Sequence, residues 1–397
     1  REERLGFSGM EIHWTPRRLA VLVQGLAEHQ ADLVEEVRGP AAAVGLDSTG
    51  NPTQAALGFL KKSGATPQDL KRKVVGEKEY LFLGVRTPGR PAQEVLQELI
   101  PDILRSLPCR KTMRWDSSGV AFLRPIRWLV CLLDNEILPI RYGSLTAGRI
   151  TRGHRFFGPR ELALNSPAEY VEKLREARVI ADPRERERMI RDAAKGVEGE
   201  YGVRALWTEE LLGILVGSLE WPSPVLGEFP GEFLDLPAPV IAAVLHEEGK
   251  FVPFARDGEP APVFLGFRDG KEDEKGYVRQ GYERVVRARL RDARFFFEND
   301  RKRPLAERVL DLREVVYEAR LGSVWDKVQR IREICKRLVD PLGLDGEQGA
   351  LLDRAAFLCK ADLTTKMVRE FPELEGCLLY TSPSPRDLST SRMPSSA

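Results

Sequence analysis

The spacing of apolar positions changes character along the chain. "RRLAVLVQGL" (17–26) predicts a strand that opens on basic residues. "DSTGNPTQAALGFLKKSG" (47–64) reads as a turn and then a helix, with Asn51 as cap, Pro52 at the first helical position and Gly64 as the stop. "IRWLVCLLDNEILPIRYG" (126–143) predicts a hairpin, because Asp134 and Asn135 between its two apolar runs tolerate positive φ. In "ADPRERERMIRDAAKGVEGEYG" (181–202) Asp182 can cap a helix. Pro183 suits its first turn, Glu185 takes the capping-box position, and Glu187 and Arg191 can pair four residues apart. "TEELLGILVGSLEWP" (208–222) predicts an apolar helix that stops before Pro222. "SPVLGEF" (223–229) and "PVFLGF" (262–267) predict buried strands. Strands and helices mixed in this way give an α+β fold.

From about residue 305 the periodicity becomes helical. "LAERVLDLREVVYEARLGSVWDKVQRIREICKRLVD" (305–340) carries apolar residues at steps of three and four, with Gly322 as a break, and "EQGALLDRAAFLCKADLTTKMVREF" (347–371) predicts a helix or helix pair. The pattern divides the chain into an α+β region over 1–304, itself divisible near 150–180, a helical segment over 305–377, and a tail over 378–397. The tail, closing on "YTSPSPRDLSTSRMPSSA", is mostly Ser, Thr and Pro and is expected to be disordered. It resembles translated sequencing-adapter read-through, so it is expected to be foreign to the protein. The opening "REERLGF" has no Met, and a fragment is expected.

A length of 397 residues exceeds one compact core and calls for two or more domains. The net charge is only +1, so any affinity for a polyanion must come from local clustering. Cys109, Cys131, Cys335, Cys359 and Cys377 lie far apart, with no CxxC and no His at ligand spacing; reduced thiols of a cytosolic protein fit this better than a disulfide framework or a zinc site. No run of 18 apolar residues occurs.

One stretch concentrates charge: "RVVRARLRDARFFFENDRKRP" (284–304). On a helix of about 100° per residue, Val286, Leu290, Ala293 and Phe297 fall within roughly 60° of one another and form a packing stripe. Arg284, Arg287, Arg291 and Arg294 form a second stripe roughly 100° away. Phe297 then faces a core, Phe296 flanks it, and Phe295 adjoins the arginines. Four arginines and an exposed aromatic suit an RNA backbone and an unpaired base. The same face also reads as a solvated surface whose arginines pair with carboxylates, with Phe295 packed on a neighbouring domain. The "NDRKRP" that follows reads as a linker.

Two further basic stretches contain aromatics. In "CRKTMRW" (109–115), Arg110, Lys111 and Arg114 can reach phosphate. In "RITRGHRFFG" (149–158), Gly153 and Gly158 bracket His154, Arg155, Phe156 and Phe157 as a tight loop would, next to Arg152. Both also read as structural loops with buried aromatics. Catalytic patterns are missing. His246 in "LHEEGK" lacks a second His at position 250, and no His is followed by Asp as a metal phosphohydrolase of the HD type requires. No GxxxxGK[ST], GxGxxG or GxSxG occurs. The chain reads as a binding subunit.

Nine segments in order carry a resemblance: "TPRRLAVLV", "RGPAAAVGLDSTGNPTQAALGFLKKSG", "KTMRWDSSGVAFLRPIRWLVCLL", "ITRGHRFFGP", "VIADPRERERMI", "EWPSPVLGEF", "ERVVRARLRDARFFFENDRKRPL", "LGSVWDKVQRI" and "CKADLTTKMVREFPELEG". Over about residues 10–376 the chain resembles the beta subunit of the bacterial heterotetrameric glycyl-tRNA synthetase. The resemblance implies a ligase that joins glycine to tRNA with ATP, with ATP and Mg bound at a separate alpha subunit and no catalytic site or cofactor on this chain. It implies the alpha subunit and tRNA as partners, neither a membrane nor DNA, and a cytoplasmic location. It also implies an N-terminal region similar to the editing-type domain of the phenylalanyl enzyme's beta chain, followed by an HD-like helical domain that this chain truncates. One departure lies in "LHEEGKFVPF": Gly249 and Phe251 replace an amide and a hydroxyl usual in the family. The other readings are a nucleic-acid phosphohydrolase of the HD class and a structural interaction protein without an RNA role.

Overall fold

The computed structural model describes residues 3–47, 49–63, 65–76 and 78–377, without the side chains of 247 and 248. Gly64 and the tail 378–397 lie outside the described residues. The described chain is mixed α+β and divides into two compact units: residues up to 14 with 18–177, and 15–17 with the chain from 178.

The first unit opens with the antiparallel pair β1 (Gly9–Thr15) and β2 (Arg18–Gln24), the latter where the sequence predicts a strand. Next comes a three-stranded antiparallel sheet of β3 (Leu33–Ala41), β4 (Leu70–Val75) and β5 (Lys78–Thr87), with β5 in the middle. The short helix α1 (Ala42–Gly45) and α2 (Gln54–Ser63) cover one face of that sheet, where Leu81, Ala42 and Ala56 are buried together. Helix α2 begins at Gln54, two residues later than the sequence predicts. The Asp47 carboxylate holds the amides of Thr49 and Asn51 in a tight turn, Pro52 bridges Leu46, and the first helical carbonyl is that of Thr53, accepting from Leu57 at 2.8 Å.

Helix α3 (Ala92–Ser106) follows, and then short antiparallel pairs. These are β6 (Met113–Arg114) with β7 (Ala121–Phe122), β8 (Leu132–Leu133) with β9 (Glu136–Ile137), β10 (Arg141–Tyr142) with β11 (Leu145–Thr146), and β12 (Ile150–Thr151) with β13 (Leu162–Ala163). The predicted turn at Asp134–Asn135 is present, with Asp134 at φ +50°, but its strands are only two residues long. Leu138, Ile140 and Ala147 are buried beside it. Helix α4 (Tyr170–Glu176) closes the unit.

The second unit starts with α5 (Pro183–Tyr201). Asp182 accepts from the Arg184 amide, Arg191 donates to Glu187 at 2.8 Å, and Gly202 terminates the helix at φ +61°. A four-stranded antiparallel sheet carries the centre of the unit. Its members are β14 (Arg204–Ala205), β15 (Pro222–Glu228), β16 (Val252–Arg256) and β17 (Glu259–Asp269), in the order β14, β16, β17, β15. Between the strands run α6 (Glu209–Ser218), capped by Thr208, and α7 (Ala238–Ala243). The long helix α8 (Tyr277–Asp300) packs on this layer.

Glycine makes room for aromatics here. Phe251 is buried with its ring 4.7 Å from that of Phe264 and 5.0 Å from that of Tyr282. A Cβ on Gly249 would stand 2.1 Å from Phe251, and one on Gly227 would stand 2.4 Å from Phe264. The sequence departure at 249–251 is therefore a packing arrangement, in which the bare backbone of Gly249 accepts the Phe251 ring.

Past residue 304 the helical expectation holds in part. Helices α9 (Leu305–Arg308), α10 (Val324–Leu338), α11 (Gly346–Leu358) and α12 (Lys366–Glu370) form, but 316–323 is a small hairpin of β18 (Val316–Glu318) and β19 (Gly322–Ser323). Val316 and Tyr317 favour extended backbone. Gly322 turns the chain at φ +87°, and Ser323 starts α10 through a reciprocal capping box with Asp326. The segment shares its core with the sheet layer: Met367, Val368, Phe371 and Leu374 are buried with Val286, Leu290 and Ala293.

Arg186 on α5 is fully buried. Its guanidinium donates to the carbonyls of Ile180 (2.6 Å), Ala181 (3.1 Å) and Val216 (3.0 Å), the last belonging to the final turn of α6. Burial pulls its pKa down to about 10. Replacing it with Met leaves those carbonyls unsatisfied. Arg186→Met is expected to cost about 3–5 kcal/mol of stability, at about 1–3 kcal/mol for each buried acceptor left without a donor, read as a fall of at least about a hundredfold in hydrogen-exchange protection across α5 and α6. Unchanged protection would show that Arg186 is not a structural tie.

Candidate nucleic-acid interface

The phase of α8 is set by what it buries. Val286, Leu290 and Ala293 are inaccessible, and Phe296 and Phe297 pack partly buried against the same core. Phe295 is thrown outward, 61% exposed, with its ring edge-on to Phe296 and the Lys366 ammonium 6.0 Å from its centroid. The predicted stripe divides. Arg284, Arg287 and Arg291 are exposed and make no salt bridge or side-chain hydrogen bond among the described residues. Arg294 lies at the boundary: its guanidinium sits 4.7 Å above the Phe233 ring, pairs with the Glu232 carboxylate at 3.3 Å and donates to the Glu232 carbonyl. Three arginines therefore face outward, and one is held in the packing as the carboxylate reading expects. In the stretch that follows, Arg303 binds Asp311 and the Glu307 carbonyl, and Arg308 binds Asp300, so this connection is structural.

The other candidates lie in the first unit. Arg110, Lys111 and Arg114 are exposed, at and just before the β6–β7 pair. In the 152–158 loop the amide of Gly158 donates to the His154 carbonyl, and the His154 amide donates to the Ala177 carbonyl. A Cβ on Gly158 would stand 2.3 Å from the His154 nitrogen, and one on Gly153 would stand 2.8 Å from Pro159. Both glycines are thus required by close approach, as a tight loop demands. His154 is buried, stacked on Phe157 at 5.0 Å, and its Nδ1 accepts from the Phe156 amide at 3.3 Å. Arg155 and Phe156 form the exposed tip, with the guanidinium 5.4 Å from the ring.

Sequence reasoning missed Trp128. The guanidinium groups of Arg18 and Arg152 approach its ring at 5.6 and 5.1 Å, and Arg18 donates to the Arg152 carbonyl at 2.7 Å. Arg127, Trp128, Arg149 and Ile150 help to line a cavity of about 390 Å³ beside it. The signal was present as "IRW" and a basic loop, but Arg152 lies 24 residues after Trp128 and Arg18 lies 110 before it, and only the fold joins them.

Comparison with known proteins defines the class first: residues 1–380 match the family model of an aminoacyl-tRNA synthetase subunit. That model is described as the glycyl-tRNA synthetase beta subunit, and the chain belongs to this family. The glycine–tRNA ligase beta subunit of Desulforamulus reducens is 39% identical over 376 residues, 94% of this chain and 54% of the relative. Those of Clostridioides difficile (36% over 375 residues, 94% and 54%) and Synechocystis (39% over 378 residues, 93% and 52%) are similar to it in the same way. The chain spans about half the length of the curated relatives it matches.

The division of the stripe is testable by stability. Arg294→Ala removes a partly buried cation from Phe233 and Glu232 and is expected to destabilise by about 1 kcal/mol. Arg287→Ala is expected to stay within about 0.5 kcal/mol. Denaturant midpoints check this, and equal losses at both positions would erase the distinction.

Proposed function

We propose that this chain is the N-terminal part of the tRNA-binding and assembly subunit of a glycine–tRNA ligase. It acts in the cytoplasm in a heterotetramer with a separate alpha subunit. ATP and Mg are used at the alpha subunit to form the glycyl adenylate, and this chain contributes surface. The observation that carries the RNA reading is the face of α8: Arg284, Arg287 and Arg291 without partners among the described residues, beside the exposed Phe295. Unpaired guanidinium groups neutralise phosphates, and an outward ring stacks an unpaired base. Arg294 keeps the helix seated. Arg110, Lys111, Arg114, Arg152 and Arg155 offer further phosphate contacts on the first unit, and His154 shapes the loop that carries two of them.

We read residues 1–304 as the α+β region similar to the editing-type domain of the phenylalanyl enzyme's beta chain. Residues 305–377 are then the start of an HD-like helical domain. The absence of any His-Asp pair in the sequence weighs against a phosphohydrolase.

Two measurements test the assignment. The purified chain is expected to form no glycyl-tRNA with glycine, ATP and tRNA; charging without an alpha subunit would overturn the division of labour. In tRNA binding followed by fluorescence anisotropy, Arg284→Ala, Arg287→Ala and Arg291→Ala are each expected to lower the slope of log K against log salt by about 0.7–0.9. An unchanged slope in the triple variant would return α8 to a purely structural role.

A further inference from the structure

The β3–β5–β4 sheet has a second face, and its chemistry is unlike that of an ordinary solvated sheet. One face is closed by α1 and α2 over Leu81 and Leu83, both essentially inaccessible. The alternation of side chains along β5 then places Tyr80 and Phe82 on the other face, about 6.7 Å apart along the central strand. Register fixes their neighbours. Arg38 of β3 and Lys71 of β4 stand directly opposite Phe82 on either side, and Lys73 stands opposite Tyr80. Directly opposed residues of antiparallel strands share a face.

Side-chain contacts agree with this register. The Arg38 guanidinium lies 3.4 Å from the Tyr80 ring centroid, and the Lys73 ammonium lies 5.8 Å from that of Phe82. Lys73 also pairs with Glu36 of β3, so the two side chains meet across the central strand. Arg86, four residues beyond Phe82, extends the same face and donates to Asp32 at 2.6 Å. Lys71 makes no salt bridge or side-chain hydrogen bond among the described residues. Four cations thus stand against two carboxylates. Gly84 follows Phe82 on this face, and a Cβ there would meet only Val34, at 3.8 Å. The third position along β5 is therefore open.

We propose that this face is a platform for an unpaired stretch of RNA. Tyr80, extended by the stacked Arg38 plane, and Phe82 take two successive bases, and Lys71, which has no partner among the described residues, takes a flanking phosphate. Sheet-borne aromatics bracketed by cations bind unpaired strands because every base has a π-face and every linkage a negative charge. A duplex hides its base faces and would contact only the cations. The choice of RNA rests on the function proposed above; the preference for an unpaired strand rests on the geometry of this sheet alone.

The test uses the whole chain and a fluorescein-labelled unpaired octaribonucleotide of mixed sequence, with an RNA duplex of the same length as control. The expected result is that the unpaired strand binds more tightly than the duplex. Phe82→Leu and Tyr80→Leu keep apolar bulk on the strand and are each expected to weaken octamer binding by about five- to a hundredfold. Lys71→Ala is expected to lower the salt slope by about 0.7. Circular dichroism confirms that each variant is folded, and Lys71→Ala, a surface change, keeps the test alive if an aromatic variant misfolds. The proposal is overturned by equal affinity for strand and duplex, or by folded leucine variants that bind the octamer as the unaltered chain does. It is also overturned if these variants lose co-purification with the alpha subunit while octamer binding is unchanged, which would make the face a protein-docking surface. The α8 triple variant separates the two readings: it should weaken whole tRNA and leave the octamer untouched. Loss of tRNA binding by that variant, with the octamer indifferent to Tyr80 and Phe82, retains the proposed function and removes only the platform.

Discussion

The burial of one stripe on α8 sets what the second unit can present. Val286, Leu290 and Ala293 sit in a core that also holds Val240, Ile241, Phe264, Met367 and Phe371. Removing apolar side chains of this size from water is worth roughly 1.5–3 kcal/mol each for the valine and leucine. A helix pinned along such a stripe has no freedom to rotate. Rotation by one residue, about 100°, would put Arg287 into the core and Val286 into solvent. The positions of Arg284, Arg287, Arg291 and Phe295 at the surface are consequences of that packing. Asp300 reinforces the far end by accepting the amides of Lys366 and Met367 and pairing with Arg308.

Arginine serves two purposes in this chain, and burial tells them apart. Arg186, Arg294, Arg308 and Arg332 are held by carbonyls or carboxylates: Arg332 binds Asp353 through two hydrogen bonds, at 2.8 and 2.6 Å, joining α10 to α11. Arg284, Arg287 and Arg291 have no such partners among the described residues. A guanidinium already satisfied by the protein must break those bonds to meet a phosphate, whereas an unpaired one loses only water. The near-zero net charge conceals this division, because the structural arginines are neutralised internally and the outward ones are not.

The local elements were legible in the sequence wherever a backbone signal and a packing signal coincided. Helix α5 follows from Asp182, Pro183 and the apolar spacing of Ile190, Ala194 and Val197. The split of the three phenylalanines follows from helical angle alone. Failures arose where one signal outvoted the other. Asn51 and Pro52 look like a helix start, but Asp47 had already captured the Asn51 amide. Residues 316–323 keep a helical apolar period, but Gly322 at φ +87° commits them to a hairpin. The loop at 153–158 was legible from its glycines, whereas the buried state of His154 was not, because it depends on Phe157 and on the Ala177 carbonyl.

What the sequence could least reveal is a surface assembled by register. Arg38, Lys71, Lys73, Tyr80 and Phe82 come from three strands, and as text they form no motif. β4 reads as a run of three cations and β5 as a continuous apolar run, so neither shows from its text which residues share a face. Only the pairing of Arg38 and Lys71 with Phe82, and of Lys73 with Tyr80, shows that the aromatics are central and the cations flank them. A slip of β4 by one residue would turn Leu70 out of the core under α1 and α2 and carry Lys71 and Lys73 to the Leu81 side. The apolar face under α1 and α2 therefore holds the register that creates the basic aromatic face above it, much as the buried stripe of α8 holds its arginines outward. In both units, the surface chemistry is a consequence of which side is kept dry.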